Sequence, residues 1–179
     1  FAAAGRSETV TETTPSGIMA HARAALHAGG VEAPVGGGTD MYFAELNRTP
    51  PDAGLMDCVA FAVVPQVHVE DDLSLFETLE AQEDAVRSGL AISRGRPLVV
   101  GPITLRHRKP FYGPPRSVEG LPFSVDVRQM SRLLAAWTLG SVKACAEAGA
   151  ASLTYFETTG PRGLLVPENR EPCPCLPAH

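Results

Sequence analysis

Apolar residues along this chain alternate between two rhythms, one of helices and one of buried strands. Ile18, Met19, Ala22, Ala25 and Leu26 recur at the spacing of one helix face. Thr14 followed by Pro15 predicts an N-cap and a first helical proline, and Gly29-Gly30 predicts the stop. Ala33-Pro34-Val35-Gly36-Gly37-Gly38-Thr39-Asp40 then reads as a short strand running into a glycine-rich end. Cys58 to Val64 is apolar throughout, as in a parallel strand covered on both faces, and Pro65 ends it. Ser74-Leu75-Phe76-Glu77 fits a capping box, so a helix is expected from Ser74, with Leu75, Leu79, Val86 and Leu90 on its apolar stripe. A third strand is expected over Pro97 to Leu105, followed by a long Pro/Gly-rich loop from Arg106 to Pro122. Asp126 or Gln129 is expected to cap the next helix, whose stripe is Met130, Leu133, Leu134, Trp137 and Val142, with Gly149 ending it. The fourth strand runs from Ala151 to Glu157.

Strands that alternate with helices, without hairpin signals between them, predict an α/β fold: a parallel sheet with right-handed crossovers. A doubly wound open sheet fits, and so does a partial (β/α)8 TIM barrel. A whole barrel takes about 250 residues. This chain has 179, so it is expected to supply only part of one. Its open sheet edges would then meet the missing barrel half or a second copy. We expect the barrel part over residues 1–166 and an irregular tail over 167–179.

Composition narrows the field. Hydrophobic residues make up 44% and charged residues 20%, a globular balance, and the net charge of −5 argues against nucleic acid as a partner. The basic residues from Arg106 to Lys109 form only a short cluster. The longest apolar stretch, near Cys58 to Val64, is far shorter than the ~20 residues a membrane helix needs. No membrane partner is expected, and the cytoplasm is the default location. The chain lacks an initiator Met and reads as a fragment. Cys58 and Cys145 sit in apolar patterns as small hydrophobes, and Cys173-Pro174-Cys175 is weak evidence for zinc. His68, Asp71 and Asp72 are too close in sequence to make a ligand set, so neither metal nor cofactor is expected.

In both architectures ligands bind at the carboxyl ends of the strands, so polar residues just beyond each strand are the candidates. Beyond the first strand stand Asp40, Tyr42, Glu45, Asn47 and Arg48; beyond the second, His68 with acidic neighbours that could orient its ring. Arg106 follows the third strand and could clamp a carboxylate or polyol. Glu157 closes the apolar run Leu153-Thr154-Tyr155-Phe156, a setting that suits a general acid or base. Glu45 and Glu157 follow strands three apart, across the mouth of a barrel. Two carboxylates placed so equip a chain for glycoside hydrolysis, or for hydrolysis of an ester or lactone by activated water. A non-catalytic carbohydrate-binding or truncated scaffold fragment is the third reading. No G-x-S-x-G elbow is present.

Four blocks together resemble the D-apionate lactonase family. They are Gly37 to Arg48; Pro65-Gln66-Val67-His68 with Asp71-Asp72; Gln129-Met130 with Ala136 to Ser141; and Ala148 to Gly160. They cover roughly residues 30 to 165, in the family's order. The chain departs from the family's pattern at Val64 and Pro161, and the tail after Val166, with Cys173-Pro174-Cys175, does not resemble the family. The resemblance implies a barrel shaped like those of glycoside hydrolases, of which this would be the C-terminal half. It also implies a carboxylic ester hydrolase that opens D-apionolactone, a branched-sugar lactone, to D-apionate in apiose breakdown. On that reading Glu157, Glu45 and His68 are catalytic. Glu157 would activate water or protonate the leaving oxygen, Glu45 is the second carboxylate, and His68 would stabilise the oxyanion or shuttle a proton. Asp40, Tyr42, Asn47, Arg48 and Arg106 would bind the substrate.

Overall fold

The computed structural model describes residues 13–108 and 121–165. The expected tail at 167–179 and most of the loop after Arg108 lie outside the described residues. In chain order the elements are α1 (Ser16–Ala28), β1 (Gly36–Gly38), α2 (Phe43–Arg48), a 3-10 turn (Ala53–Leu55), β2 (Cys58–Val63), α3 (Asp72–Ser93), β3 (Leu98–Ile103), α4 (Arg132–Ala148) and β4 (Ser152–Tyr155). The four strands form one sheet in the order β1-β2-β3-β4, and every pairing is parallel. The sheet is open. It is part of a barrel wall, as the alternation of strands and helices predicts.

The strand faces explain how the helices seat. Val59 and Phe61 are fully buried, and a side chain on Gly89 of α3 would strike Leu98 and Phe61. These residues therefore face outward to the helix, and Ala60 and Ala62 face inward by the strand's period of two. In β4, Leu153 and Tyr155 pack on the core, whereas Ser152 and Thr154 on the other face are exposed. The Tyr155 hydroxyl donates to Ser141 of α4 at 2.8 Å. Trp137 pins α4 to α3 by donating from its indole N–H to the Leu75 carbonyl at 3.0 Å. Gly140 lets the two helices close, since a Cβ there would lie 2.7 Å from Leu79 Cδ1.

Several boundaries differ from the sequence expectation. Thr14 does not cap α1: Pro15 holds that position, and the Thr14 hydroxyl and amide bond instead to Gly38 of β1. Within the run from Ala33 to Asp40 the strand is the glycine segment Gly36–Gly38. Helix α3 starts at Asp72, because the Asp71 carboxylate accepts from the Ser74 amide at 2.9 Å. Ser74 is thus an interior residue of the first turn, not the cap. Helix α4 is capped by Ser131, whose hydroxyl accepts from the Leu134 amide at 3.2 Å. Asp126 and Gln129 lie upstream and are buried for other purposes. Cys145 is buried as expected, and Cys58 is only half-buried.

Candidate active site

The chain after β1 turns over the carboxyl end of the sheet. Gly38 has φ +141°, and a Cβ there would lie 2.0 Å from the Ala60 carbonyl oxygen, so only glycine lets β1 lie this close to β2. The turn leads to Asp40, which is exposed, and then to Tyr42 at the start of α2. Glu45 reaches back to accept from the Tyr42 amide at 3.2 Å, and its other oxygen accepts from Arg48 at 3.0 Å. Its carboxylate thus fixes the start of α2, a helix the apolar spacing did not reveal. Asn47 and Arg48 are exposed on this helix.

Tyr42 also reaches further. Its hydroxyl lies 2.8 Å from Nδ1 of His107, with ring centroids 5.7 Å apart. Tyr42 follows β1 and His107 follows β3, so the pair meets across the end of β2, which separates them in the sheet. Arg108, next to His107, donates to the Asp40 carbonyl. Burial pushes the Tyr42 hydroxyl up to about 12, with Arg108 opposing and Glu45 and Asp40 adding. Burial likewise lowers the His107 imidazole below its usual range; Arg106 and His68 reinforce this and Glu70 opposes it. Both groups are therefore uncharged near neutral pH. His68 is exposed nearby.

Beside this pair lies a buried ionic network. Asp126, 1% exposed, accepts from Arg128 on both carboxylate oxygens at 2.9 Å, from Gln66 at 2.8 Å and from Arg106 at 3.3 Å. Arg106 also pairs with Glu70 at 2.8 Å, and Arg128 with Asp72 at 2.7 Å. Gln66 completes the frame by donating to the Leu105 carbonyl at 3.0 Å. Burial alone would raise the Asp126 carboxyl, but the bonds from Arg128 and Gln66 outweigh it and hold the group below the usual carboxylate range. The network ties the ends of β2 and β3 to the approach to α4. Arg106 is part of that frame, with its side chain 16% exposed.

Glu157 stands at the other edge of the sheet, beyond β4. Its side chain is 27% exposed and pairs with Arg162 at 3.3 Å, while Arg162 lies 5.3 Å over the Phe156 ring. Its amide and carbonyl bond to Arg162 and Leu164, which folds the following turn back on it. Gly160 packs against the carboxylate: a Cβ there would come within 2.6 Å of Oε1. Among the described residues no hydrogen bond joins Glu157 to Glu45 or His68. The structure thus gathers Asp40, Tyr42, Glu45 and Arg48 in one turn, holds Arg106 in the ionic frame, and leaves Glu157 at the opposite edge. Sequence reasoning placed Gln66 and His107 beyond strands without giving them a role, read Asp126 as a helix cap, and missed Arg128. A polar residue after a strand was the available signal for Gln66 and His107. For Arg128 there was none, and Asp126 carried only the signal of a helix cap. Among the described residues no group of three His, Cys, Asp or Glu side chains stands close enough to hold a metal ion. No described helix is long and apolar enough to cross a membrane.

The fold defines the class first: an incomplete (β/α) barrel whose polar side chains gather at the carboxyl ends of its strands, where barrels hold their sites. The model of the D-apionate lactonase TIM barrel domain matches residues 4–178, and the chain belongs to that family. The match continues beyond Val166, further than the four sequence blocks reach. A D-apionate lactonase of Brucella anthropi is 35% identical over 156 residues, which cover 84% of this chain and 25% of that protein. The chain therefore spans about a quarter of that relative's length. No solved structure matches it.

Proposed function

We propose that this chain is part of a hydrolase that opens a sugar lactone, D-apionolactone, to the free acid D-apionate. The similarity to the Brucella anthropi D-apionate lactonase over 84% of the chain carries the reading. The polar array at the strand ends supports it, because ring opening by water needs groups that move protons and groups that hold hydroxyls.

Glu157 is the carboxylate proposed to take a proton from the attacking water. Its half-buried position leaves one face open, and Arg162 and Gly160 fix its direction. Glu45 is the second carboxylate, and its bonds to Tyr42 and Arg48 suit it to holding that turn in place. His68 would stabilise the oxyanion that forms on the carbonyl. Asp40, Asn47 and Arg48, exposed around the same mouth, and Arg106 would bind sugar hydroxyls. The test is Glu157→Gln in the full-length protein. Turnover is expected to fall about 100-fold or more with the fold intact, in the range set by a general base. Unchanged turnover would overturn the role of Glu157.

A further inference from the structure

We propose that Tyr42, oriented by His107, is the general acid that protonates the ring oxygen as the lactone opens. The inference rests on the sugar-lactonase reading and changes the part assigned to Tyr42 from substrate binding to proton transfer.

The geometry carries it. Loops from two non-adjacent strands, β1 and β3, meet over the end of β2, where Tyr42 Oη lies 2.8 Å from His107 Nδ1. Three further bonds hold the two sides of that contact. Glu45 accepts from the Tyr42 amide, Arg48 ties down Glu45, and Arg108 donates to the Asp40 carbonyl. A hydroxyl this firmly placed is more than an adaptable contact to a sugar.

The chemistry asks for such a group. Water adds to the carbonyl carbon as Glu157 takes one of its protons, and the carbonyl π pair moves onto oxygen. When the tetrahedral intermediate collapses, the bond from the carbonyl carbon to the ring oxygen breaks and its electron pair leaves on that oxygen. An alkoxide is a poor leaving group unless a proton reaches it. The Tyr42 hydroxyl supplies that proton. The phenolate left behind receives a hydrogen bond from the His107 Nδ1–H tautomer and lies beside the Arg108 charge. The proton held by Glu157 then returns to Tyr42 through water, so the cycle closes with lactone and water converted to hydroxy acid. A tyrosine whose hydroxyl is raised by burial stays protonated until an alkoxide forms, and a histidine lowered by burial stays neutral.

The experiment uses the full-length protein and two substrates, the sugar lactone and its thiolactone. A thiolate departs without a proton; an alkoxide does not. Tyr42→Phe keeps the ring and its packing. It is expected to lower kcat about 100-fold on the lactone, with KM little changed, and to lower it no more than about threefold on the thiolactone. His107→Gln is expected to lower kcat on the lactone less, and to add nothing in the Tyr42→Phe background. Equal losses on both substrates would reduce Tyr42 to a positioning residue. A rise in KM alone would return it to substrate binding, and independent effects of the two substitutions would dissolve the pair. Each of these results overturns the proposal while leaving the lactonase reading intact. A wild-type protein inactive on every sugar lactone overturns both.

Discussion

Asp126 shows how much of the mouth depends on one side chain. Its carboxylate is buried, and Arg106, Arg128 and Gln66 all converge on it. Removing its charge leaves two guanidinium groups partly buried without their shared partner, a change that costs about 3–5 kcal/mol when a buried pair is broken. Asp126→Asn is expected to lose about that much stability near pH 7 in urea unfolding. The folded carboxyl lies below its unfolded value of about 3.9, so this stabilisation is fully present above that pH and fades as pH falls through the folded value. The gap between wild type and variant should therefore narrow at low pH; a constant gap would show that packing, not charge, is what was lost. Gly160 gives a second prediction at this scale. Gly160→Ala would press on the Glu157 carboxylate and strain a φ of +117°. Turnover is expected to fall by up to about 100-fold, the cost of misplacing a reacting group by about 1 Å. Little loss would place Glu157 outside the chemistry. Sequence singles out Glu157 as a carboxylate ending an apolar run, and the structure holds it partly buried against Arg162. Asp126 was legible only as a helix cap: apart from Arg128, two residues on, its partners Gln66 and Arg106 come from the ends of β2 and β3, which spacing along the chain does not bring together.

Element by element, the legible parts are those with a strong period. The strand over Cys58–Val63 and the bodies of α3 and α4 follow the apolar pattern, because burial against one neighbour sets the pattern directly. Helix starts followed local competition instead. Ser74 and Asp71 could both cap α3, and the aspartate prevails, placed ahead of the first turn where its charge also faces the positive helix end. Asp71→Ala is expected to lower the thermal midpoint more than Ser74→Ala does. Equal costs would contradict the assignment. The third strand hides an irregularity behind an unbroken apolar run. Pro102 cannot donate to a neighbouring strand, and the register of β3 shifts between Val100 and Ile103 against both its neighbours. The shift lets a central strand keep its proline and sets the phase of Thr104, whose amide bonds to the Val63 carbonyl at 3.0 Å. Helix α2 was invisible because its six residues hold one buried apolar side chain, Leu46, and too few turns for a period to show.

For the whole molecule, the open sheet and the family agree. Four parallel strands with α3 and α4 on one face make a segment of a barrel wall, and the family model is that of a TIM barrel domain. The inward face of this segment carries small residues such as Ala60 and Ala62 and exposed Ser152 and Thr154. We propose that the protein containing this chain is a sugar lactonase with its site at the carboxyl ends of these strands. The most direct test is hydrolysis of D-apionolactone by the full-length protein, followed by proton release near neutral pH. Turnover well above the spontaneous rate, lost in Glu157→Gln, is the expected result. A full-length, folded protein that leaves the lactone at its spontaneous rate would contradict the account.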